Sequence, residues 1–520
     1  MAMRSWLAMG TGLAAVMFGA ASGGLAAAQP AGSSFATRCS GIEGKSLAGA
    51  VVTKAEHVAA GSTLPPLPTA DSPAFCRVRA EAVPVAGSRI KLEIWLPDTW
   101  NGKLAGIGGG GFEGGYTLAN IVLRMPVRAG FAGVVTDAGH DRAIVPKWAF
   151  GQPEKIADFG NRANHVGAVV AKAVAADYYG APVKRALFHG CSNGGRDALM
   201  LAQRYPRDYD AIVVGAPAND FSGLMASFGR LGQLGRGTLG KALEPKLKLV
   251  RDAAVARCDG LDGARDGLIG NPAKCRFDPA VLACKAGASG ETCLSKTELS
   301  AVKAVYADSR LRDGTLVMPG LPPGSEGDWS SWLTGSTPQG AGMATAFYRN
   351  FVHSDDSWSA ENFDIDREWK AGRATVSNMI DALDPDLRPF LGGGGKLLMY
   401  HGWNDAAIPA GNSIRYFESM RRTVGSRLAG ATRLFMLPGV GHCTGGSGPD
   451  TVDYLAEIDR WAESGIAPDQ LTATKFESAF AAYTSAPGKA LRSRPACAWP
   501  KAAQYRGSGS MEEAGSYVCR

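Results

Sequence analysis

The chain has 520 residues, of which 45% are hydrophobic and 20% are charged. This composition is typical of a globular protein with a sizeable core, and it excludes a disordered chain. The 68 Gly and 29 Pro residues show no collagen period. The net charge of +7 comes without a dense basic run, so composition gives no support to nucleic-acid binding.

The amino terminus has the parts of an export signal. Arg4 precedes an apolar stretch over Trp6–Phe18, and Ala26-Ala27-Ala28 has the small residues of a cleavage site. A membrane anchor is the alternative, but the apolar stretch is short and broken by glycines. We therefore expect a signal peptide over residues 1–28, a mature chain that begins at Gln29, and a secreted or periplasmic protein.

Short apolar runs alternate with helical patterns through much of the chain. Runs typical of strands occupy residues 90–96, 104–107, 131–136, 186–189, 211–214, 397–401 and 434–437. This alternation predicts an α/β fold with a mostly parallel sheet. It stops near Phe221 and resumes near Lys396. We therefore expect a core domain over residues 29–220 and 391–520, with a second domain inserted over residues 221–390.

The sharpest local pattern is Gly-x-Ser-x-Gly at Gly190, Ser192 and Gly194, between a strand-like and a helical run. In this context the pattern predicts a nucleophile elbow, a strained turn that exposes a serine. The amide of the next residue, Asn193, would then face a developing oxyanion. A glycine-rich turn without chemistry is one alternative, and Cys191 acting as the nucleophile is another.

A nucleophilic serine needs a base and an orienting acid, which in this architecture follow it in the order acid, then histidine. His442 lies in a glycine-rich loop after the last predicted strand, and Asp405 follows the strand before it. We therefore predict His442 as the base and Asp405 as the acid for Ser192. His401, at a strand end, is interpreted as a packing residue.

A second oxyanion amide is expected from the loop that follows an early strand. Gly108-Gly109-Gly110-Gly111 follows the predicted strand 104–107, and glycine lets a backbone amide approach the substrate closely. We assign this role to Gly109. A surface loop without function is the alternative.

Ten cysteines in an exported chain indicate disulfides, although the sequence alone leaves their connectivity open. Cys191 precedes the predicted nucleophile and Cys443 follows the predicted base. If the triad is right, these two cysteines are close in space. A disulfide between them would fix the elbow to the histidine loop and would prevent Cys191 from acting as a nucleophile.

The inserted segment contains a loop that is rich in carboxylates and glycines. Such a loop can wind tightly and direct several oxygens at one hard cation, and calcium prefers oxygen ligands. The predicted ligands are the side chains of Asp259, Asp262 and Asp266 and the backbone carbonyls of Ala264 and Leu268. A solvated turn is the alternative, and spacing alone does not separate the two.

Together these motifs resemble the tannase and feruloyl esterase family, from about Cys39 to Cys519. The resemblance rests on the Cys-Ser and His-Cys pairs, the Gly-Cys-Ser-x-Gly-Gly elbow, the Tyr-His-Gly-x-x-Asp loop and the Cys-Asp-x-x-Asp loop. It implies an α/β-hydrolase core, a large inserted lid, structural Ca²⁺ at the Asp259 loop and five disulfides. The implied pairs are Cys39–Cys76, Cys191–Cys443, Cys258–Cys275, Cys284–Cys293 and Cys497–Cys519.

The resemblance further implies a secreted serine carboxylesterase that hydrolyses feruloyl, hydroxycinnamoyl or galloyl esters through an acyl-enzyme. Its partner would be a small aromatic ester, with no nucleic acid and no membrane. Lid aromatics such as Trp358 are expected to stack on the aromatic acid.

Two alternatives remain from the sequence. One branch of the family hydrolyses mono(2-hydroxyethyl) terephthalate, but here Ile408 stands where that branch has Phe. Residues 335–347 also lack a convincing counterpart of that branch's lid arginine, which binds the free carboxylate of its substrate. A non-catalytic, calcium-stabilised binding protein is the alternative of another class.

Overall fold

The structure, a computed structural model, describes residues 34–65, 70–114, 119–141, 145–234, 239–285, 287, 290–335, 338–478 and 486–520. The predicted signal peptide over residues 1–28 lies outside these ranges. Within them, no helix combines the length and apolar character needed to cross a membrane.

The strands in the described ranges are β1 (Ser46–Leu47), β2 (Ala50–Val58), β3 (Phe75–Ala82), β4 (Ile90–Pro97), β5 (Lys103–Ile107), β6 (Ala132–Thr136), β7 (Arg185–Cys191), β8 (Ala211–Gly215), β9 (Ser309–Arg310), β10 (Leu316–Met318), β11 (Lys396–Gly402), β12 (Thr432–Leu437), β13 (Gln470–Phe476), β14 (Ala490–Cys497), β15 (Ala503–Tyr505) and β16 (Tyr517–Cys519).

The α-helices in the same ranges are α1 (Phe35–Ser40), α2 (Ala119–Val122), α3 (Arg124–Arg128), α4 (Pro153–Ala157), α5 (Ala163–Tyr179), α6 (Asn193–Arg204), α7 (Phe221–Gly232), α8 (Leu239–Leu243), α9 (Leu247–Cys258), α10 (Lys296–Tyr306), α11 (Gln339–Phe347), α12 (Ile365–Thr375), α13 (Ser377–Ile380), α14 (Arg388–Gly392), α15 (Ala410–Val424), α16 (Ser426–Ala429) and α17 (Tyr454–Ser464).

One ten-stranded sheet forms the core, in the order β1-β2-β3-β4-β6-β5-β7-β8-β11-β12. The pairs from β6 to β12 in this order are parallel, whereas β1 to β4 and the β4–β6 pair are antiparallel. The predicted α/β class is confirmed. The antiparallel strands β1 to β3 are not among the predicted strands. In β2, the exposed Thr53 and Lys54 interrupt the apolar pattern. The alternation of buried and partly exposed residues in β3 is a strand signal that the prediction missed.

Alternate residues of the parallel strands enter two different apolar layers. Leu397 and Met399 pack in the layer that contains side chains of α5, α6 and α15. Leu398 and Tyr400 pack in the layer that contains side chains of α17. All four are at most 4% exposed, as expected for a strand that is covered on both faces. The sheet is therefore a rigid base for the loops at its carboxyl edge.

The break in the predicted strand pattern is a long segment inserted between two neighbouring strands of the sheet. β8 and β11 pair directly, with Val213 opposite Leu398, although residues 216–395 lie between them in the chain. This segment carries α7 to α14 and the β9–β10 hairpin, and its apolar cluster includes Trp329, Phe347 and Tyr348. The boundaries of a separate lid domain at residues 221–390 stay a prediction.

Candidate active site

Ser192 lies between the end of β7 and the start of α6, at a turn with φ 65° and ψ −123°. Residues other than glycine rarely adopt a positive φ, which costs of order 1–3 kcal/mol and must be held by the surroundings. A Cβ on Gly190 would lie 2.1 Å from the carbonyl oxygen of Gly194, so only glycine fits there. The predicted sharp elbow is therefore observed, with the serine at its tip.

The loops after β11 and β12 bring Asp405 and His442 to this serine. Oγ of Ser192 lies 2.9 Å from Nε2 of His442, and Nδ1 of His442 lies 2.8 Å from Oδ2 of Asp405. The carboxylate is fully buried, and its Oδ1 accepts the amides of Ala407 and Ile408, each at 2.8 Å. The structure thus places the three predicted residues in the hydrogen-bonded order Ser–His–Asp.

The surroundings of Asp405 and His442 favour an ionised acid and a basic histidine. Burial raises the pKa of Asp405, but the charges and hydrogen bonds of His442 and His401 outweigh it and hold that pKa well below its usual range. Burial lowers the pKa of His442, but the charge and hydrogen bond of Asp405, with the charge of Asp328, outweigh burial and raise that pKa above its usual range. Asp405 therefore stabilises the protonated form of the histidine.

All ten cysteines are paired, and the pairs are the five that the family resemblance implies. In Cys191–Cys443 the two Cα atoms are 6.0 Å apart, and the bridge joins the elbow directly to the histidine loop. A bridged cysteine cannot attack a substrate, so Cys191 is excluded as a nucleophile. The other bridges are Cys39–Cys76, Cys258–Cys275, Cys284–Cys293 and Cys497–Cys519.

The predicted oxyanion residues lie beside the serine. Gly109 and Asn193 both line the cavity that contains Ser192, and the carbonyl of Gly109 accepts the amide of Gly194 at 2.9 Å. The side chain of Asn193 is occupied elsewhere, because it donates to Glu113 and accepts from Nε of Arg196. Any contact with an oxyanion would therefore come from its backbone amide at the start of α6.

A cavity of about 590 Å³ opens above Ser192 and His442. The inserted segment forms the lid side of this cavity, which is mostly apolar: it carries Phe221, Leu224, Met225, Phe228, Trp332 and Met343 together with the polar Gln339. Ile408, from the loop after β11, adds a further apolar side chain. Trp332 meets His442 edge to face, with ring centroids 5.5 Å apart. The expectation for Trp358 is wrong, because that ring stacks on Tyr348 and His353 and is not among the described residues that line the cavity. The fold of the lid decides which aromatic ring faces the serine.

The carboxylates of the predicted calcium loop are buried and already hold several hydrogen bonds. Asp259 accepts the amides of Asp266 and Gly267, and Asp262 accepts the amide of Ala264 at 3.0 Å. Asp266 accepts the amide of Leu268 at 3.2 Å. Nη1 of Arg494 lies 3.4 Å from Asp262, and its Nη2 contacts Asp266.

Within the described residues, no three His, Cys, Asp or Glu side chains converge as metal ligands in the present arrangement. The donor set nevertheless suits a hard cation. Three carboxylates with low exposure face the buried guanidinium of Arg494 and that of Arg492, which is 18% exposed and lies 3.9 Å from Oδ2 of Asp266. Burial raises the pKa of Asp262. Two arginines oppose three acids, so the loop carries more negative charge than its arginines balance.

Sequence reasoning missed two contacts of the triad. His401 is a packing residue, as predicted, but its Nε2 also lies 3.2 Å from Oδ2 of Asp405. The sequence signal for this contact is the position of His401 four residues before the acid. The contact of Trp332 with His442 has no comparable signal in the sequence, because Trp332 belongs to the inserted segment and reaches the histidine only through the packing of that segment.

Three comparisons place the chain among known proteins. The sequence pattern described as tannase and feruloyl esterase matches residues 76–520. An uncharacterised esterase of Xanthomonas campestris is 33% identical over 92% of this chain and 91% of its own. A probable feruloyl esterase B-2 of Aspergillus terreus is 30% identical over 85% of this chain and 86% of its own.

The solved structure of feruloyl esterase B from Aspergillus oryzae superimposes with a TM-score of 0.85 at 27% identity. The superposition covers 94% of this chain and 100% of the Aspergillus oryzae chain. The strand order, the serine elbow and these neighbours define a carboxylic ester hydrolase with the α/β-hydrolase fold. Within this class, the chain belongs to the tannase and feruloyl esterase family.

Proposed function

We propose that this chain is an exported serine carboxylesterase that hydrolyses hydroxycinnamoyl or galloyl esters through an acyl-enzyme. The observation that carries the proposal is the hydrogen-bonded series from Ser192 through His442 to Asp405, open to an apolar cavity. This arrangement activates a serine towards an ester carbonyl.

In the proposed reaction, Oγ of Ser192 attacks the ester carbonyl while Nε2 of His442 accepts its proton. The backbone amides of Asn193 and Gly109 donate to the tetrahedral oxyanion. His442 then gives the proton to the departing alcohol, and the acyl group stays on the serine. Water, deprotonated by the same histidine, releases the acid. Asp405 fixes the orientation of the imidazole and stabilises its protonated form.

The lid side of the cavity supports an aromatic acyl group. Its phenylalanine, tryptophan, leucine and methionine side chains offer ring and sulfur contacts to an aromatic acid. Among the described residues that line the cavity, none is Arg or Lys, so none would pair with a free carboxylate. Ile408 lines it and is 2% exposed. Terephthalate monoesters are therefore not favoured, and the intact triad argues against a non-catalytic binding protein.

Structural Ca²⁺ is part of the proposal. Asp259, Asp262 and Asp266 would hold it with their carboxylates, and Ala264 and Leu268 with their backbone carbonyls. The bound ion would balance the excess negative charge of the loop and fix the conformation of the inserted segment. Because it acts structurally, no step of the ester chemistry passes through it.

Export through a signal peptide over residues 1–28 is also proposed. The five disulfides support it, because such bonds persist in oxidising compartments. The measurement is the amino-terminal sequence of protein recovered outside the cytoplasm, expected to begin at Gln29. An uncleaved chain would contradict it.

The test of the function compares initial rates on methyl ferulate, methyl gallate and mono(2-hydroxyethyl) terephthalate, with Ser192→Ala as the blank. We expect the ferulate or gallate ester to be hydrolysed well above the terephthalate ester and the blank to be inactive. A fluorophosphonate probe should label the wild type and leave the Ser192→Ala protein unlabelled. Equal rates of wild type and blank on all three esters would overturn the proposal.

A further inference from the structure

A cluster of polar side chains lies behind the two amides assigned to the oxyanion. It consists of Glu113, from the glycine-rich loop after β5, and of Asn193, Arg196 and Asp197, from the start of α6. The three helix residues are at most 3% exposed. Glu113 lines the cavity together with Gly109 and Asn193. None of the four side chains takes part in the proposed reaction, so their place beside it calls for another role.

The side chain of Glu113 contacts both residues that supply the oxyanion amides. Its Oε1 accepts a hydrogen bond from Nδ2 of Asn193. Its carboxyl also packs against Gly109, where a Cβ would lie 2.7 Å from Cδ of Glu113 and 2.8 Å from its Oε2. The backbone of Glu113 has φ 43°, a conformation that a residue other than glycine keeps only when its surroundings hold it. The two contacts of the carboxyl provide such surroundings.

Arg196 holds the other end of the Asn193 side chain. Its Nε donates to Oδ1 of Asn193 at 2.6 Å. The guanidinium is itself anchored, because Nη2 donates to the carbonyl of Phe159 at 2.8 Å and Nη1 to the carbonyl of Gly160 at 2.5 Å. The amide group of Asn193 therefore connects two fixed points, the carboxyl of Glu113 in the loop and a buried guanidinium on the helix.

The two acids of the cluster need a proton between them. The carboxyls of Glu113 and Asp197 form a hydrogen bond, and Oδ1 of Asp197 also lies 2.8 Å from Nη2 of Arg196. Burial, with the charge and hydrogen bond of Asp197, raises the pKa of Glu113 well above its usual range. Burial raises the pKa of Asp197 too, but the charge of Arg196 and the hydrogen bond from Glu113 oppose this rise. The proton therefore belongs to Glu113, and Asp197 is the ionised partner.

We infer that Glu113 is a positioning residue for the oxyanion hole, because its carboxyl joins the loop that carries Gly109 to the side chain of Asn193. This link sets the two amides in place relative to each other. The inference rests on the proposed esterase function. A neutral acid suits the role, since it donates to Asp197, accepts from Asn193 and adds no negative charge where the oxyanion develops.

The test compares Glu113→Ala with Glu113→Gln on methyl ferulate. Alanine removes the link, so kcat should fall about tenfold or more while KM changes by less than about threefold, because alignment of the amides acts on the transition state. Glutamine keeps an acceptor for Asn193 and a donor for Asp197, so its kcat should stay within about threefold of wild type. The matched control is Glu368→Ala, which removes another buried carboxyl, outside the described lining of the cavity, and should leave kcat unchanged.

Inhibition by phenylboronic acid separates the oxyanion hole from general loss of structure. Oγ of Ser192 adds to the boron, its proton passes to His442, and one hydroxyl of the tetrahedral boronate takes the place of the oxyanion. The inhibition constant should therefore rise in Glu113→Ala by about the factor that kcat loses, as expected for a transition-state analogue.

The outcomes distinguish two failures. Wild-type kcat and wild-type boronic acid inhibition in Glu113→Ala would overturn the positioning role, and so would a Glu113→Gln protein that loses as much kcat as the alanine variant. A wild type that hydrolyses none of the three esters and is not labelled by the fluorophosphonate probe would instead overturn the proposed function.

Discussion

Nε2 of His401 lies 3.2 Å from Oδ2 of Asp405, the same carboxylate oxygen that receives Nδ1 of His442. His401 is fully buried and is held from both ring nitrogens, by Ser413 at 2.8 Å and by the carbonyl of Ile408 at 3.0 Å. The Nε2–H of His401 is thus shared between the Ile408 carbonyl and Asp405, so the acid has a second imidazole behind it that helps to fix the oxygen that orients the base.

His401→Phe should therefore lower kcat by roughly tenfold and leave KM nearly unchanged, because it removes one donor to a buried carboxylate without touching the cavity. Steady-state kinetics on methyl ferulate measure kcat and KM separately. Ser413→Ala is the control, since it keeps Nε2 of the imidazole and should retain most of the rate. A His401→Phe protein with wild-type kcat and an unchanged melting temperature would contradict the positioning role.

Asp405→Asn should lower kcat by roughly 10³–10⁴-fold, as expected for loss of the acid of a triad. It should also change the pH profile. The charge of Asp405 raises the pKa of His442, and the base is active only when it is neutral, so activity rises with pH through that pKa. Without the carboxylate the pKa falls, and the acidic limb of kcat should move to lower pH. Residual activity with an unshifted limb would contradict the assignment.

Removal of the bridge between elbow and histidine loop should affect both stability and rate. Cys191→Ala with Cys443→Ala opens a loop of 252 residues. In the chain-entropy model, the loss of this bridge lowers the free energy of unfolding by about 5.5 kcal/mol. A small displacement of serine from imidazole is expected to cost tenfold or more in kcat. The control is Cys284→Ala with Cys293→Ala, whose loop spans only 9 residues in the inserted segment. If both double variants lose the same activity, alignment is not the role of the first bridge.

Chelation should lower the melting temperature of the wild type by several degrees, because a bound cation stabilises the folded state by mass action. In Asp262→Asn the response to chelator should disappear, and elemental analysis should find about one Ca²⁺ less per chain. Asp252→Asn, an exposed change on the preceding helix, should keep the full response. An unchanged melting temperature together with no calcium in the purified wild type would contradict the site.

The triad could be predicted because its residues follow directly from strand ends. Parallel strands place their carboxyl ends along one edge of a sheet, so Ser192, Asp405 and His442 meet there once three strands are recognised. The disulfide between Cys191 and Cys443 follows from the same contact. The other four pairs came from the family resemblance, since sequence spacing leaves connectivity open.

The lid could not be predicted in the same way. Trp332 faces the cavity and Trp358 does not, and this choice depends on how the short helices of the inserted segment pack against one another. Tyr454 also lines the cavity, and its place there could not be predicted for a related reason. It lies at the start of α17, and only the fold brings that helix beside His189. Local patterns specify elements and their ends better than they specify which side chains share a cavity.

The direct pairing of β8 with β11 has a consequence for synthesis of the protein. When β8 leaves the ribosome, its partner is still separated from it by residues 216–395. At about 5–20 residues per second, this segment takes roughly ten seconds or more to make. A nascent chain that folded early would meanwhile present β8 as an unpaired, fully apolar edge, which is a template for aggregation. Efficient production of the enzyme therefore depends on keeping the first half of the chain unfolded or shielded until the second half arrives.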